Sequence, residues 1–175
     1  MDEMLRDLLP VDHKATLEFF FKGLGEEIEI SEHGVPRVEQ KYVASILASH
    51  AQTSRYDTGC MPAPADLSDV FDRYVLASAH DPETFEGAGA EVLVMVGFLG
   101  DQMSYRSRHN LRWYESLGQS FYDKASRLSE NEVARARFRR MAIYFPPWAI
   151  HCRNLSRTLR ESQNDRFLLG FHRPS

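Results

Sequence analysis

The C-terminal third of the chain carries an apolar residue at every third or fourth position without a break. This spacing places those residues on one face of an α-helix, so residues 134–159 are predicted to form a long helix with one buried side. The pattern keeps its phase across Pro146-Pro147, although prolines remove hydrogen bonds and clash with the preceding turn. We therefore expect one helix kinked at the prolines, or two nearly collinear helices. The stripe consists of Ala134, Phe138, Met141, Phe145, Trp148, Cys152, Leu155 and Leu159.

Helical patterns also fill the rest of the sequence, and no run of alternating β-branched residues indicates a strand. The predicted fold class is all-α: a single-domain bundle of about six helices spanning residues 1–175. Residues 1–10 are predicted to be a lead-in and residues 164–175 a tail. Besides the long last helix, the predicted helices cover residues 14–24, 36–53, 67–80, 82–105 and 110–128.

Several residues mark the expected ends of these helices. Asp81 followed by Pro82 is a strong start signal, because a capping carboxylate precedes a proline at the first helical position. Gly23 and Gly25 are predicted to end the first helix. Ser129, three residues before a glutamate, fits a capping box at the start of the last helix.

The most apolar part of the chain brings two glycines into bulky surroundings. Gly97 and Gly118 are predicted to be structural glycines that allow helices to approach closely. An aromatic-rich region surrounds them, and we interpret it as core. The alternative is an apolar pocket for a small hydrophobic ligand, since helix bundles form such pockets between their helices. The aromatic residues concerned are Tyr105, Trp113, Tyr114, Phe121, Tyr122, Phe145 and Trp148.

The net charge of −4 conceals an asymmetry between the two parts of the chain. Residues 1–100 contain 18 acidic and 7 basic side chains, whereas residues 101–175 contain 7 acidic and 14 basic ones. The halves either offset each other's charge across solvated faces or present a basic surface to an acidic partner. Arginine suits the second role because its planar group pairs with carboxylate or phosphate through two hydrogen bonds. The candidate partner contacts are Arg135, Arg139, Arg153 and Arg157.

No pattern in the sequence is typical of a metal site, an activated nucleophile or a phosphate-binding loop. We therefore expect no metal, no cofactor and no catalytic residue, although enzymatic activity stays open. Cys60 and Cys152 are predicted to be unpaired buried thiols in a reducing cytosol. The N-terminus lacks a signal-peptide pattern, and the longest apolar run, 92–99, is too short to span a bilayer. These features predict a cytoplasmic protein without membrane contact.

The stretch 89–99, GAEVLVMVGFL, is followed by Trp113-Tyr114, Leu117-Gly118 and Phe121-Tyr122. This arrangement resembles an uncharacterised family of small bacterial helical proteins whose members read GD-x-ALF-x-SGFF and then YY-x-x-MG-x-x-AY. The resemblance covers roughly residues 85–159, and the chain departs from it at Ala90, where the family has aspartate. It implies a bacterial, cytoplasmic, helical protein and carries no catalytic residue across.

Three functions are compatible with these patterns. The favoured one is a non-catalytic module that acts through protein–protein contacts in an unknown pathway, with a homodimer as one form of such contact. The second is binding of nucleic acid or nucleoprotein through the Arg-rich C-terminal helix. The third is a small-ligand binder or an enzyme that uses the aromatic interior.

Overall fold

The computed structural model describes residues 13–56, 80–101 and 110–170, with side chains described for 13–52, 80–101 and 110–162. This part of the chain is helical and contains no strand, which confirms the all-α class there, while the bundle of about six helices stays a prediction. A 3₁₀ turn, Arg37–Glu39, precedes α2, and a π-helical segment, Val94–Phe98, follows α3. The predicted helix 67–80 lies outside the described residues except at His80. The five α-helices are α1 (His13–Ile30), α2 (Gln40–Tyr56), α3 (Pro82–Leu93), α4 (Leu111–Leu128) and α5 (Glu132–Gly170).

The helices pack as two groups around α5. Helix α1 lies along α2, α3 lies along α4, and α4 lies along α5. The π-helical segment and part of α1 also contact α5. Every residue of the α5 stripe from Phe138 to Leu155 is buried, while Ala134 and Leu159 are partly buried against the same core. The amphipathic pattern of the sequence therefore identifies the face of α5 that the other helices cover.

Helix α1 continues through both glycines that were predicted to end it, so that prediction is wrong. A Cβ atom at Gly23 would lie 2.7 Å from Cδ1 of Leu155 on α5, and one at Gly25 would lie 2.9 Å from Nε2 of Gln40. The same Gln40 amide donates a hydrogen bond to the carbonyl of Phe21 at 2.7 Å. These glycines serve close packing against α5 and α2, which a local sequence rule does not detect.

The starts of α3 and α4 follow the local rules of helix capping. The carboxylate of Asp81 accepts a hydrogen bond from the backbone N–H of Glu83, with Pro82 in the first turn, as predicted. The side chain of Asn110 accepts from the N–H of Trp113. At α5, however, the cap is Asn131, whose side chain accepts from Val133 N and Ala134 N, and not the predicted capping box. The hydroxyl of Ser129 instead donates to the carbonyl of Asn131.

Helix α5 runs from Glu132 to Gly170 with Pro146 and Pro147 inside it. The backbone leaves the helical region at Tyr144, where φ is −100° and ψ is 15°. Since Pro146 has no N–H, the carbonyl of Ala142 loses its normal intrahelical donor. The side-chain amide of Gln119 on α4 donates to that carbonyl at 3.0 Å. A side chain of the neighbouring helix thus replaces the hydrogen bond that the first proline removes. The angle of the predicted bend stays a prediction.

Both structural glycines lie against α5. A Cβ atom at Gly97, within the π-helical segment, would lie 2.8 Å from Cβ of Cys152 and 3.3 Å from the carbonyl oxygen of Ala149. A Cβ atom at Gly118 would lie 2.6 Å from two ring carbons of Phe145. Real Cβ atoms do not approach neighbours this closely, so a side chain at either position would force α5 away.

The side chain of His151 on α5 forms a hydrogen bond to the segment between α1 and α2. It is fully buried, and its Nε2 donates to the backbone carbonyl of His33 at 2.9 Å. Nδ1 is left without a partner among the described residues. Burial lowers the pKa of His151, and the ring of His33 acts in the same direction. The hydrogen bond to the His33 carbonyl and the charge of Glu27 oppose this effect.

The glycine contacts predict the cost of adding one methyl group. Gly97→Ala and Gly118→Ala should each lower the free energy of unfolding by about 1–3 kcal/mol through overpacking, measured by urea denaturation. Gly87→Ala is the matched control, because a Cβ atom at this exposed α3 position meets nothing within 4 Å. That variant should be neutral or gain up to about 1 kcal/mol. Equal stabilities for all three variants would contradict the packing argument.

The contact between Gln119 and the Ala142 carbonyl predicts a loss of stability when the amide is removed. Gln119→Leu keeps a side chain of similar size and leaves that carbonyl unsatisfied, so the free energy of unfolding should fall by about 1–3 kcal/mol. Ser120→Ala is the control, since the exposed Ser120 hydroxyl bonds only a carbonyl of its own helix. Thermal denaturation measures the melting temperatures of both variants. A larger fall for Gln119→Leu than for Ser120→Ala would assign the loss to the hydrogen bond with the Ala142 carbonyl and not to a general effect on α4.

The His151 contact predicts a pH dependence of stability. The pKa of His151 is lower in the folded chain than the value of about 6.5 expected when unfolded. Between the two values the unfolded chain binds more protons, so the free energy of unfolding should fall as the pH falls below about 6.5. Urea titrations at pH 7.5 and pH 5.5 measure this change, which should be smaller in His151→Gln. Identical pH dependence in both proteins would show that His151 does not contribute.

Candidate functional site

Two of the arginines near the start of α5 bind a single buried carboxylate. Nε of Arg140 donates to Oε1 of Glu39 at 2.7 Å, and Nε of Arg137 lies 3.6 Å from Oε2. Glu39 is 1% exposed, and the guanidinium of Arg137 also lies over the ring of Tyr42, 5.2 Å from its centroid. A buried charge requires such pairing, so these arginines connect the start of α2 to α5 and belong to the fold.

Arg153, further along α5, is also committed to the fold. Its Nη2 donates to the carbonyl of Val96 at 2.8 Å and lies 3.5 Å from Oε1 of Glu115. The carbonyl belongs to the π-helical segment, in which the N–H of Leu99 bonds back to the carbonyl of Val94. Because this bond skips one residue more than in an α-helix, carbonyls near it need other donors. Arg153 supplies one of them.

The last group of ion pairs on α5 is centred on Asp101. Arg157 donates to both carboxylate oxygens, at 2.8 and 2.7 Å, and Arg160 donates to one of them at 2.8 Å. The hydrogen bond from Arg157, with a smaller contribution from Arg160, lowers the pKa of Asp101 to about 2. This carboxylate therefore stays charged, and it occupies both arginines.

A groove opens between α5 and α4, near the start of α5. Its larger part has a volume of about 810 Å³, and an adjoining depression has a volume of about 530 Å³. We call the two together the basic groove and the smaller part the arginine pocket. The larger part is lined by Ser116, Gln119, Ser120, Asp123, Lys124, Arg127, Ala142 and Ile143. The arginine pocket is lined by Asp123, Ser126, Arg127, Arg135 and Arg139.

The three arginines of this pocket differ in what holds them. Nε of Arg127 donates to Asp123 on the same helix at 2.8 Å. Nε and Nη2 of Arg135 both donate to the backbone carbonyl of Ser129, at 3.0 and 2.8 Å. Arg139 is exposed and forms no ion pair with any residue that the structure describes. The pocket thus contains positive charge that this part of the chain does not neutralise.

The four arginines predicted to contact an acidic partner do not form one surface. Arg135 and Arg139 lie in the basic groove, whereas Arg153 and Arg157 bind Glu115 and Asp101. Arg139 and Arg157 are 18 residues apart on α5, which corresponds to about 27 Å along the helix. Of the two pairs, only Arg135 and Arg139 line the basic groove.

The residues of the predicted aromatic interior also fall into buried and exposed positions. Tyr114, Phe121, Tyr122, Phe145 and Trp148 are buried, and Tyr105 lies outside the described residues. Trp113 is 42% exposed, so its assignment to the interior is wrong. Adjacent residues on a helix point about 100° apart, and Tyr114 takes the inward direction. The ring of Trp113 packs against Tyr114 from outside, with centroids 5.0 Å apart.

The buried aromatic rings fill the space that glycines leave open. The ring of Tyr122 lies over Gly89, and the ring of Phe145 lies over Gly118. The centroids of these two rings are 6.0 Å apart, which is ordinary aromatic packing. This geometry favours a solid core over a ligand pocket at these rings.

One polar network penetrates this core. The hydroxyl of Tyr42 donates to Oε1 of Glu86 at 2.9 Å and lies 3.1 Å from the hydroxyl of Tyr122. Burial raises the pKa of Tyr42 and of Tyr122 far above the usual range of the phenol, so both stay protonated. The network satisfies buried polar groups between α2, α3 and α4, and the fixed protonation of the phenols makes it unsuited to proton transfer near neutral pH.

The other residue types that could carry out catalysis or bind a metal are buried or lie apart in the described part of the chain. Cys152 is a free, buried thiol, and burial raises its pKa to about 12, so the reactive thiolate does not form at neutral pH. Cys60 lies outside the described residues. Within the described ranges, no three His, Cys, Asp or Glu side chains come together as metal ligands do. No helix there combines the length and apolar character needed to cross a membrane.

The sequence did not indicate which arginines form ion pairs within the fold and which are available to a ligand. Arg140 and Glu39 are 101 residues apart, and no local pattern links them. The basic groove depends on the register of α4 against α5, which follows from tertiary packing. The i, i+4 spacing places Arg135 and Arg139 on one face off the apolar stripe, but Arg153 and Arg157 have the same spacing and the same angles, so the sequence does not separate the two pairs.

The function is inferred from this geometry, because comparisons with known proteins found no match. No protein-family model, no curated protein and no solved structure matches the chain. The resemblance to the bacterial helical family stays a prediction.

Proposed function

We propose that the protein is a non-catalytic interaction module that binds an acidic protein through the basic groove. The observation that carries the proposal is the arginine pocket, where Arg127, Arg135 and Arg139 meet a single carboxylate, Asp123. The other α5 arginines whose side chains the structure describes are bound to Glu39, Glu115 or Asp101, so the available charge of this part of α5 is concentrated at one place. A concentrated cationic surface attracts an acidic partner and orients it.

The composition of the groove supports a protein partner. Next to the arginine pocket, the larger part of the groove presents Ala142 and Ile143, and Ile143 is 59% exposed. Ile143 is one helical turn beyond Arg139, so an apolar side chain and an acidic one of the same partner contact α5 together. The serines of α4 on the other side of the groove supply hydrogen-bonding groups. The length of α4 from Ser116 to Arg127 corresponds to about 17 Å, enough for three turns of a partner helix.

Nucleic-acid binding is the second hypothesis, and the charge distribution supports it less well. The chain as a whole carries −4, whereas nucleic-acid-binding domains are usually strongly basic. Among the described residues that line the basic groove, no aromatic side chain offers a surface for a base to stack on. The bacterial origin, the cytoplasmic location and the homodimer belong to the same proposal, and the groove does not depend on them.

Binding to defined polyanions tests this proposal. We expect a labelled polyglutamate peptide to bind, measured by fluorescence anisotropy at low and moderate salt, more tightly than duplex DNA or RNA of equal charge. Arg135→Glu with Arg139→Glu should abolish binding, because it reverses the charge of the pocket. Lys22→Glu with Lys41→Glu is the matched control, since it changes the net charge equally at exposed sites on α1 and α2.

Two results would contradict the proposal. Equal loss of binding in the control variant would show that net charge, and not the groove, attracts the peptide. Tight, strongly salt-dependent binding to RNA or DNA that disappears with Arg135→Glu and Arg139→Glu would favour the nucleic-acid hypothesis instead.

A further inference from the structure

The arginine pocket has an excess of two positive charges. Three guanidinium groups, from Arg127, Arg135 and Arg139, face one carboxylate, and this carboxylate already accepts from Arg127. Arg135 bonds a neutral carbonyl, and Arg139 makes no ion pair within the described part of the chain. The groups that line the pocket therefore leave a net charge of +2.

This arrangement does not stabilise α5. Arg135 and Arg139 are one turn apart on the same face, and like charges at this spacing repel. Arg135 also lies in the first turn of α5, where the helix dipole disfavours cations. In contrast, Arg137 and Arg140, which alternate with them in sequence, hold the buried Glu39. Removing charge at Arg139 should leave the fold intact, whereas removing it at Arg140 would not.

The pocket is organised before any ligand arrives. The two hydrogen bonds from Arg135 to the carbonyl of the buried Ser129 fix the plane of its guanidinium group. The bond from Arg127 to Asp123, both of which line the pocket, holds the second guanidinium group near it. Each arginine carries five N–H donors, so donors remain on both after these bonds are made. Arg139, held by no ion pair within the described ranges, is free to close on a ligand.

We propose that the arginine pocket binds a phosphorylated side chain of the partner protein. This inference rests on the proposed function and specifies what the groove recognises. A phosphate monoester carries a charge between −1.5 and −2 near neutral pH and presents three acceptor oxygens, which matches two excess charges and several oriented donors. A single carboxylate has half the charge and two oxygens. The residues next to the phosphate then contact Ala142 and Ile143 in the larger part of the groove.

Four peptide mixtures test the proposal with the full chain. Each has random flanking residues and a fixed centre of phosphoserine, serine, glutamate or two glutamates. We expect the phosphoserine mixture to bind about tenfold more tightly than the mixture with two glutamates, because one dianion engages all three arginines at once. Inorganic phosphate is the competitor that separates a free anion site from a peptide site.

Variants assign the effect to the pocket. Arg139→Gln should weaken binding of the phosphoserine mixture about tenfold and leave the melting temperature unchanged or slightly raised. Arg160→Gln is the control, since Arg160 lies about 31 Å further along α5 and binds Asp101. A fall in melting temperature for Arg139→Gln, with affinity unchanged, would assign this arginine to the fold and overturn the proposal.

The outcomes separate this inference from the proposed function. Equal or tighter binding of the mixture with two glutamates would overturn phosphate recognition and leave the acidic-partner function intact. Failure of every mixture to bind would overturn both. Tight binding of inorganic phosphate with no additional affinity for the phosphoserine mixture would show a free anion site and also overturn the proposal.

Discussion

The structure depends on the passage of α5 through two prolines without a reversal of the chain. A proline inside a helix removes a donor and crowds the previous turn, at a cost of about 3 kcal/mol or more. Here the carbonyl of Ala142, left without its donor, accepts from Gln119 of α4, and Tyr144 takes up a non-helical backbone geometry. The apolar stripe therefore stays in phase on both sides of the prolines, and one helix organises the core. The seating of Phe145 over Gly118 follows from the same passage.

A second consequence of the long helix is the division of its arginines by position along its length. Beyond the prolines, Arg153 and Arg157 reach Glu115 and Asp101. Arg135 and Arg139 lie at about the same angles around α5, 18 residues or about five turns earlier, and line the groove beside α4. The same residue type therefore serves the fold at some positions and is available to a ligand at others. Neither the sign of the charge nor the face of the helix distinguishes them; the acidic residues within reach at each level of α5 do.

Rules that consider only nearby residues correctly predicted the structural features that nearby residues determine. They failed where contacts between residues distant in the sequence determine the structure. The cap at Asp81, the start of α4 after Asn110 and the buried stripe follow from side chains within one or two turns. The continuation of α1 through Gly23 depends on Leu155, and the burial of Glu39 depends on Arg140. Likewise, the candidate site was predicted in part: arginine at the right face of α5 was visible, whereas the groove required the position of α4.

Gln119 links the stability of the fold to the proposed site. It lines the basic groove, and its amide holds the carbonyl exposed by Pro146. In the proposed complex, a partner in the groove would cover this hydrogen bond and exclude water that competes for it. Binding of that partner to the folded chain would stabilise the fold by mass action. The proposed site and the continuity of α5 at its prolines therefore depend on the same side chain of α4.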